Sequence, residues 1–199
     1  MKKLNQFITE KLRLSKNKDK EYNYFPQTKD ELKELIDKLI KERGNNANLN
    51  DIDTSKIIDM SFLFSQNDFN GDISEWDVSN VIDMKGMFFQ SKFNNDISSW
   101  DVSSVENMEG MFMDSKFNQD ISSWDLNNIK NMSAMFFDSK FNGDISQWDV
   151  SNVRTMRRMF SCSKFNGDIS NWNISSVKDM KWMFDKCPLE KNPPVWYKE

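Results

Sequence analysis

Five tryptophans, Trp76, Trp100, Trp124, Trp148 and Trp172, stand 24 residues apart. Met84, Met108, Met132, Met156 and Met180 keep the same step, as do the columns beginning at Phe69 and Phe88. A fixed period of this size marks a repeat array, in which each unit buries its apolar face against its neighbours. Such an array tolerates a hydrophobic fraction of only 38%, because each unit needs just a thin apolar column shared with the next.

Within a unit the periodicity changes halfway. Trp76 and Val78 alternate with Glu75 and Asp77, the pattern of a short strand. Met84, Met87 and Phe88 then fall at i, i+3 and i+4, one face of a short helix. The spacing predicts an α/β repeat, a leucine-rich-repeat-like solenoid with one short strand and one short helix per 24-residue coil and an N-terminal helical cap. Leu49, Ile52, Ile57, Met60, Leu63 and Phe64 extend the columns backwards by one degenerate unit.

The organisation reads in four parts. Residues 1–24 form an N-terminal segment with an amphipathic stretch at 4–14 and a polar linker at 15–24. Residues 25–48 hold a capping helix. Thr28 and Glu31 have capping-box spacing, Leu32, Leu35, Ile36, Leu39 and Ile40 make one stripe, and Gly44 stands at the C-terminal left-handed position. Residues 49–187 form a solenoid of about six repeats. Residues 188–199 form a C-terminal cap, with Pro188, Pro193 and Pro194 ending regular structure and Leu189, Val195, Trp196 and Tyr197 as a lid.

The repeat wording I-x-x-W-x-V-x-x-V-x-x-M-x-x-M-F, from Leu49 to Phe184, resembles the BspA-like subclass of leucine-rich repeats, short repeats of bacterial surface proteins. The resemblance implies adhesion or host-protein binding, no enzymatic activity, and a place at the cell surface or outside the cell. The N-terminus has no hydrophobic core of a signal peptide, which by itself predicts a cytoplasmic chain.

Charge narrows the partner class. Residues 1–44 carry 12 Lys and Arg against 8 Asp and Glu, whereas 45–199 carry 15 against 23. An acidic array disfavours nucleic acid, whose phosphates need a basic stripe, and no apolar run approaches the ~20 residues of a membrane span. The chain contains no histidine, which removes the commonest general base and every Ser-His or Cys-His pairing. Recurring carboxylates lack the asymmetry that a catalytic site needs. No enzyme and no cofactor is expected.

What remains is a surface. Asp77, Asp101, Asp125 and Asp149, closed by Asn173, repeat beside the variable column Glu75, Ser99, Ser123, Gln147 and Asn171. These ten residues are the candidate partner-binding site, placed on the concave strand face, and the expected partner is an unidentified protein, basic if the field steers it. Two alternatives for the Asp row stay open: each carboxylate accepting the amides of its following turn, or calcium held between the Asp rows. A structural component of a larger assembly and a carboxylate-based hydrolase are the other functional readings. Oligomeric state, and pairing of Cys162 with Cys187, are not fixed by the sequence.

Overall fold

The computed structural model describes residues 21–198; the amphipathic stretch at 4–14 lies outside them. Helix α1, Lys29–Arg43, is the one α-helix among the described residues. Thr28 is its N-cap, its Oγ1 accepting the Glu31 amide at 3.2 Å. The Glu31 carboxylate accepts the Gln27 amide at 2.7 Å, one residue before the partner that a reciprocal capping box requires. Gly44 ends the helix at φ +88 and ψ 170, a region that essentially glycine alone enters, though not the left-handed helical one. Leu32, Ile36 and Leu39 are fully buried against the first coil.

From residue 45 onward the chain winds in coils whose corners are made by side chains. Oδ1 of Asp72, Asp77 and Asp83 and Oγ of Ser91 each accept the amide two residues on, from Ser74, Ser79, Lys85 and Phe93, at 2.8 to 3.1 Å. This is the Asx or Ser turn, in which a short polar side chain substitutes for backbone at a bend. Corners five to eight residues apart leave no room for regular secondary structure, so the parallel bridges between coils stay isolated, Asp59 to Asp83 to Asn107 to Asn131 to Thr155 to Asp179.

The expected strand and helix in each coil are therefore both overturned, and with them the α/β solenoid. Around Trp76 the chain bends twice, the Trp76 amide reaching Ile73 O at 3.2 Å and the Val81 amide reaching Val78 O at 2.9 Å. The alternating burial that resembled a strand is produced by bends. Between Met84 and Ser91 the amides divide by parity. Those of Met87, Phe89 and Ser91 fold back to Met84, Gly86 and Phe88, whereas those of Met84, Gly86, Phe88 and Gln90 donate forward to Asn107, Glu109, Met111 and Met113 of the next coil. Half the donors leave the segment, so no helical ladder can propagate.

This ribbon of turns requires left-handed backbone at two columns. One runs through Phe62, Gly86, Gly110, Ala134, Arg158 and Trp182, the other through Gln66, Gln90, Asp114, Asp138, Cys162 and Lys186, with φ from +49 to +60. A positive φ at the third residue of a turn is the type II condition, which glycine meets without strain. At Gly86 an added Cβ would also lie 2.4 Å from the Phe62 ring.

The interior is a pair of aromatic columns. Phe64, Phe88, Phe112, Phe136, Phe160 and Phe184 stack at centroid separations of 5.6 to 6.1 Å. The Phe69 column stacks beside it at 6.3 to 6.4 Å, with Phe112 and Phe117 4.1 Å apart within a crossing. These are offset stacks, worth about 0.5–1.5 kcal/mol per pair beyond area burial. In the column that starts at Trp76 each indole Nε1 donates to the carbonyl of the preceding coil's aliphatic column, Trp100 to Ile73 O at 3.1 Å and Trp124 to Ile97 O at 3.2 Å. Trp196 continues that column, donating to Ile169 O at 3.0 Å and stacking on Trp172 at 6.4 Å. The tail thus covers the last unit while keeping the register of the tryptophan column, with Leu189, Trp196 and Tyr197 packed against the core and Tyr197 4.8 Å from Phe184, whereas Val195 is exposed.

Gly110 offers the clean test of the left-handed column, because an added Cβ meets nothing closer than 3.8 Å. Gly110→Ala should lower stability by about 1 kcal/mol, and Ala134→Gly should raise it by a similar amount. Each is about 2–4 °C in Tm at this size. Thermal unfolding followed by tryptophan fluorescence checks both signs, and equal signs would refute the backbone assignment.

Candidate functional site: acidic rows at the coil corners

The ten candidate residues stay together as two adjacent columns, but at turn corners and not on a strand face. Glu75, Ser99, Ser123, Gln147 and Asn171 are exposed; Asp77 and Asp101 are half-buried, and Asp125, Asp149 and Asn173 are exposed. Two of the variable residues have work inside the stack. Ser99 and Ser123 donate their hydroxyls to Ser74 O and Ser98 O of the preceding coil, at 2.8 and 3.1 Å.

The Asp row is used locally, the first of the two alternatives. Oδ1 of Asp77, Asp101, Asp125 and Asp149 accepts the amide of Ser79, Ser103, Asn127 and Ser151 at 3.0 to 3.2 Å, and Asn173 does the same for Ser175. A second row, Asp96, Asp120, Asp144 and Asp168, accepts the amides of Ser98, Ser122, Ser146 and Ser170 at 2.8 to 2.9 Å. Among the described residues no group of three or more His, Cys, Asp or Glu is arranged to hold a metal ion.

Two residues ahead of the second row runs an asparagine ladder. Asn70 Oδ1 accepts the Asn94 amide at 2.7 Å, and the pattern repeats through Asn118 and Asn142 to Asn166. Its later members are exposed, so the ladder lies along the surface.

The feature that sequence reading missed is a groove. Where Asn95 and Gln119 fill their column, Gly143 and Gly167 leave an open depression of about 460 Å³. Asp144 and Asp168 flank it, and Gln147 and Asn171 from the candidate column close its side. The only signal was that column's return to glycine in two consecutive coils, which is visible once the register is known.

The opposite charge gathers elsewhere. Arg157 and Arg158 stack on Trp182 at 4.3 and 4.8 Å from its ring centroid, and Arg157 also meets Asp179 at 3.7 Å. At the other end, Arg43 clamps Asp51 with two contacts of 3.0 Å. Cys162 and Cys187 are free thiols; Cys187 takes the place of the buried serine column, and burial raises its pKa.

Two overlapping stretches, residues 31–139 and 113–196, match the family described as Mycoplasma protein of unknown function, DUF285, and the chain belongs to that family. No curated protein and no solved structure matches it. The overlap spans about one coil, as an array of near-identical units allows.

The corner bonds carry a pH dependence of defined sign. Hydrogen bonding to Arg43 holds the Asp51 carboxyl below its ordinary 3.8. The amides of Ser122, Ser146 and Ser170 do the same for Asp120, Asp144 and Asp168. A depressed folded value contributes stability fully present above the unfolded value and lost as pH falls through the folded one. Tm should hold from pH 7 to about pH 4 and fall below it. A Tm at pH 2 equal to that at pH 7 would contradict this.

Proposed function

We propose that this family member is a non-enzymatic scaffold that binds a protein partner through its acidic corner rows. The groove between Asp144 and Asp168 carries the reading. It joins two carboxylates, an opening made by Gly143 and Gly167, and the variable residues Gln147 and Asn171 in one place. A lysine or arginine side chain of a partner fits that chemistry, since a cation between carboxylates gains charge-assisted hydrogen bonds. The variable column then supplies discrimination along the rows. An adhesin or host-interaction role, which the likeness of the repeat wording to BspA-like proteins implies, is one form of this scaffold.

Asparagine keeps the corner acceptor while removing the charge, as Asn107 and Asn131 do in their own column, accepting the amides of Glu109 and Ser133. The double substitution Asp144→Asn with Asp168→Asn should therefore leave Tm within about 2 °C. It should weaken binding of a lysine-rich peptide by about tenfold at low salt. Fluorescence anisotropy with the labelled peptide reads the change, and an unchanged affinity would refute the groove.

A structural role in an assembly is the second reading, favoured by Ile58, Phe62 and Ile82, which are 61, 46 and 48% exposed. Exposed apolar side chains in neighbouring columns are candidates for burial by a partner. Light scattering of the full chain should then show mass rising with concentration and falling on Phe62→Ser. A constant monomer mass would discard this second reading.

A further inference from the structure

Two outer columns change character along the stack. That of Ile58 and Ile82 continues as Glu106, Lys130 and Arg154, and that of Phe62 continues as Gly86, Gly110, Ala134 and Arg158. The first two coils therefore set large apolar side chains, each about half exposed, where later coils set charge. The three stand around one corner. The Ile82 amide bonds Ile58 O and the Phe62 amide bonds Lys85 O, both at 2.8 Å, on either side of the Asp59–Asp83 bridge. The Phe62 ring lies over Gly86, which has no Cβ to displace it. An apolar patch in a place that is otherwise charged marks a surface that something covers.

The rim of the patch is acidic. Asp59, Asp83, Glu106 and Glu109 surround it, with Lys29 meeting Asp59 at 3.4 Å, Lys85 meeting Glu109 at 3.0 Å and Lys130 of the fourth coil meeting Glu106 at 2.7 Å. Residues 1–20, which lie outside the described part of the chain, have the complementary composition. They carry seven Lys and Arg against two Asp and Glu, with Leu4, Phe7, Ile8 and Leu12 at i, i+3, i+4 and i+8. Their point of attachment is beside the first coil, since the Asn23 amide donates to Asp51 O and the Asp53 amide to Tyr24 O, both at 2.8 Å. Ile58 follows Asp53 by five residues, so their Cα atoms lie within about 19 Å, and the six residues 15–20 reach about 20 Å when extended.

We infer that the patch of Ile58, Phe62 and Ile82 is the docking site of this chain's own residues 4–14. Leu4, Phe7, Ile8 and Leu12 supply the apolar contact, and Lys3, Lys11 and Arg13 the charge that the rim selects. A tether this short gives an effective concentration in the millimolar range, so modest intrinsic affinity keeps the patch covered. A partner for this face must first displace the segment, which makes residues 4–14 a regulator of access to it. A second copy is the less suitable occupant, because patch against patch brings two acidic rims together. The inference is independent of the acidic groove.

Carbodiimide coupling of the full chain, which joins amines to carboxylates in contact, tests this when read by peptide mass spectrometry. Lys3 and Lys11 should couple to Asp83, Glu106 or Glu109, and in an equal mixture of isotope-labelled and unlabelled protein the linked peptides should come from one chain. The links should be lost in Phe7→Asp with Ile8→Asp, and equally in Ile58→Ser with Ile82→Ser. The Lys92–Asp68 pair, 2.8 Å apart, should still couple in both variants and so report an intact stack. Absence of rim links in the parent chain would overturn the proposal, as would coupling of Lys3 and Lys11 to Asp77 and Asp101 in their place. Links between labelled and unlabelled chains, or links that survive both apolar pairs of substitutions, would overturn it too.

Discussion

The forward donation of alternate amides is the constraint from which the rest of the molecule follows. Because Met84, Gly86, Phe88 and Gln90 bond to the next coil and the residues between them fold back, each coil is fixed at a constant rise from its neighbour. That constant rise lets phenylalanine rings stack column upon column, and lets the indole of one coil reach the carbonyl of another. The same parity forces left-handed backbone at two positions per coil. Strain at Phe62, Arg158 and Trp182 is borne because the hydrogen bonds and the aromatic column on either side over-determine the path.

The period, the core columns and the capping helix were legible, because burial imposes identity. A position facing the axis in every coil admits only side chains of one size, and Trp76 through Trp172 record that directly. The local conformation was not legible. Alternating burial around Trp76 and i, i+3, i+4 spacing at Met84, Met87 and Phe88 are necessary features of a strand and a helix, but bends at Asp72, Asp77 and Asp83 satisfy both patterns. The decisive information lay in the corner residues and in Gly86 and Gly110, whose column tells of positive φ. Trp196 was equally readable by its number, yet the prolines before it drew attention to termination instead of register.

The candidate surface was only partly legible for a related reason. Columns disclose which residues recur at the same place in successive coils, and the ten proposed positions form two such columns at the turn corners. Columns do not disclose where a missing side chain opens space, so the depression at Gly143 and Gly167 emerged only with the backbone in place. Nor does a list of arginines reveal that Trp182 gathers two of them. Polar corner residues serve two masters here: one carboxylate oxygen closes a turn while the row as a whole sets the charge of the surface. Asparagine in some coils and aspartate in others keeps the turn and adjusts the field.

Near-identity of the coils has a genetic consequence. Stretches such as FNGDISEWDVSNV and FNGDISQWDVSNV differ at one residue, so unequal recombination between them removes or adds whole coils. Any two such units present the same asparagine, phenylalanine and forward-amide columns to a neighbour. Helix α1 and the Trp196 end are left untouched by such an event. Length, and with it the number of carboxylates on display, can thus vary between lineages without a new fold having to be found.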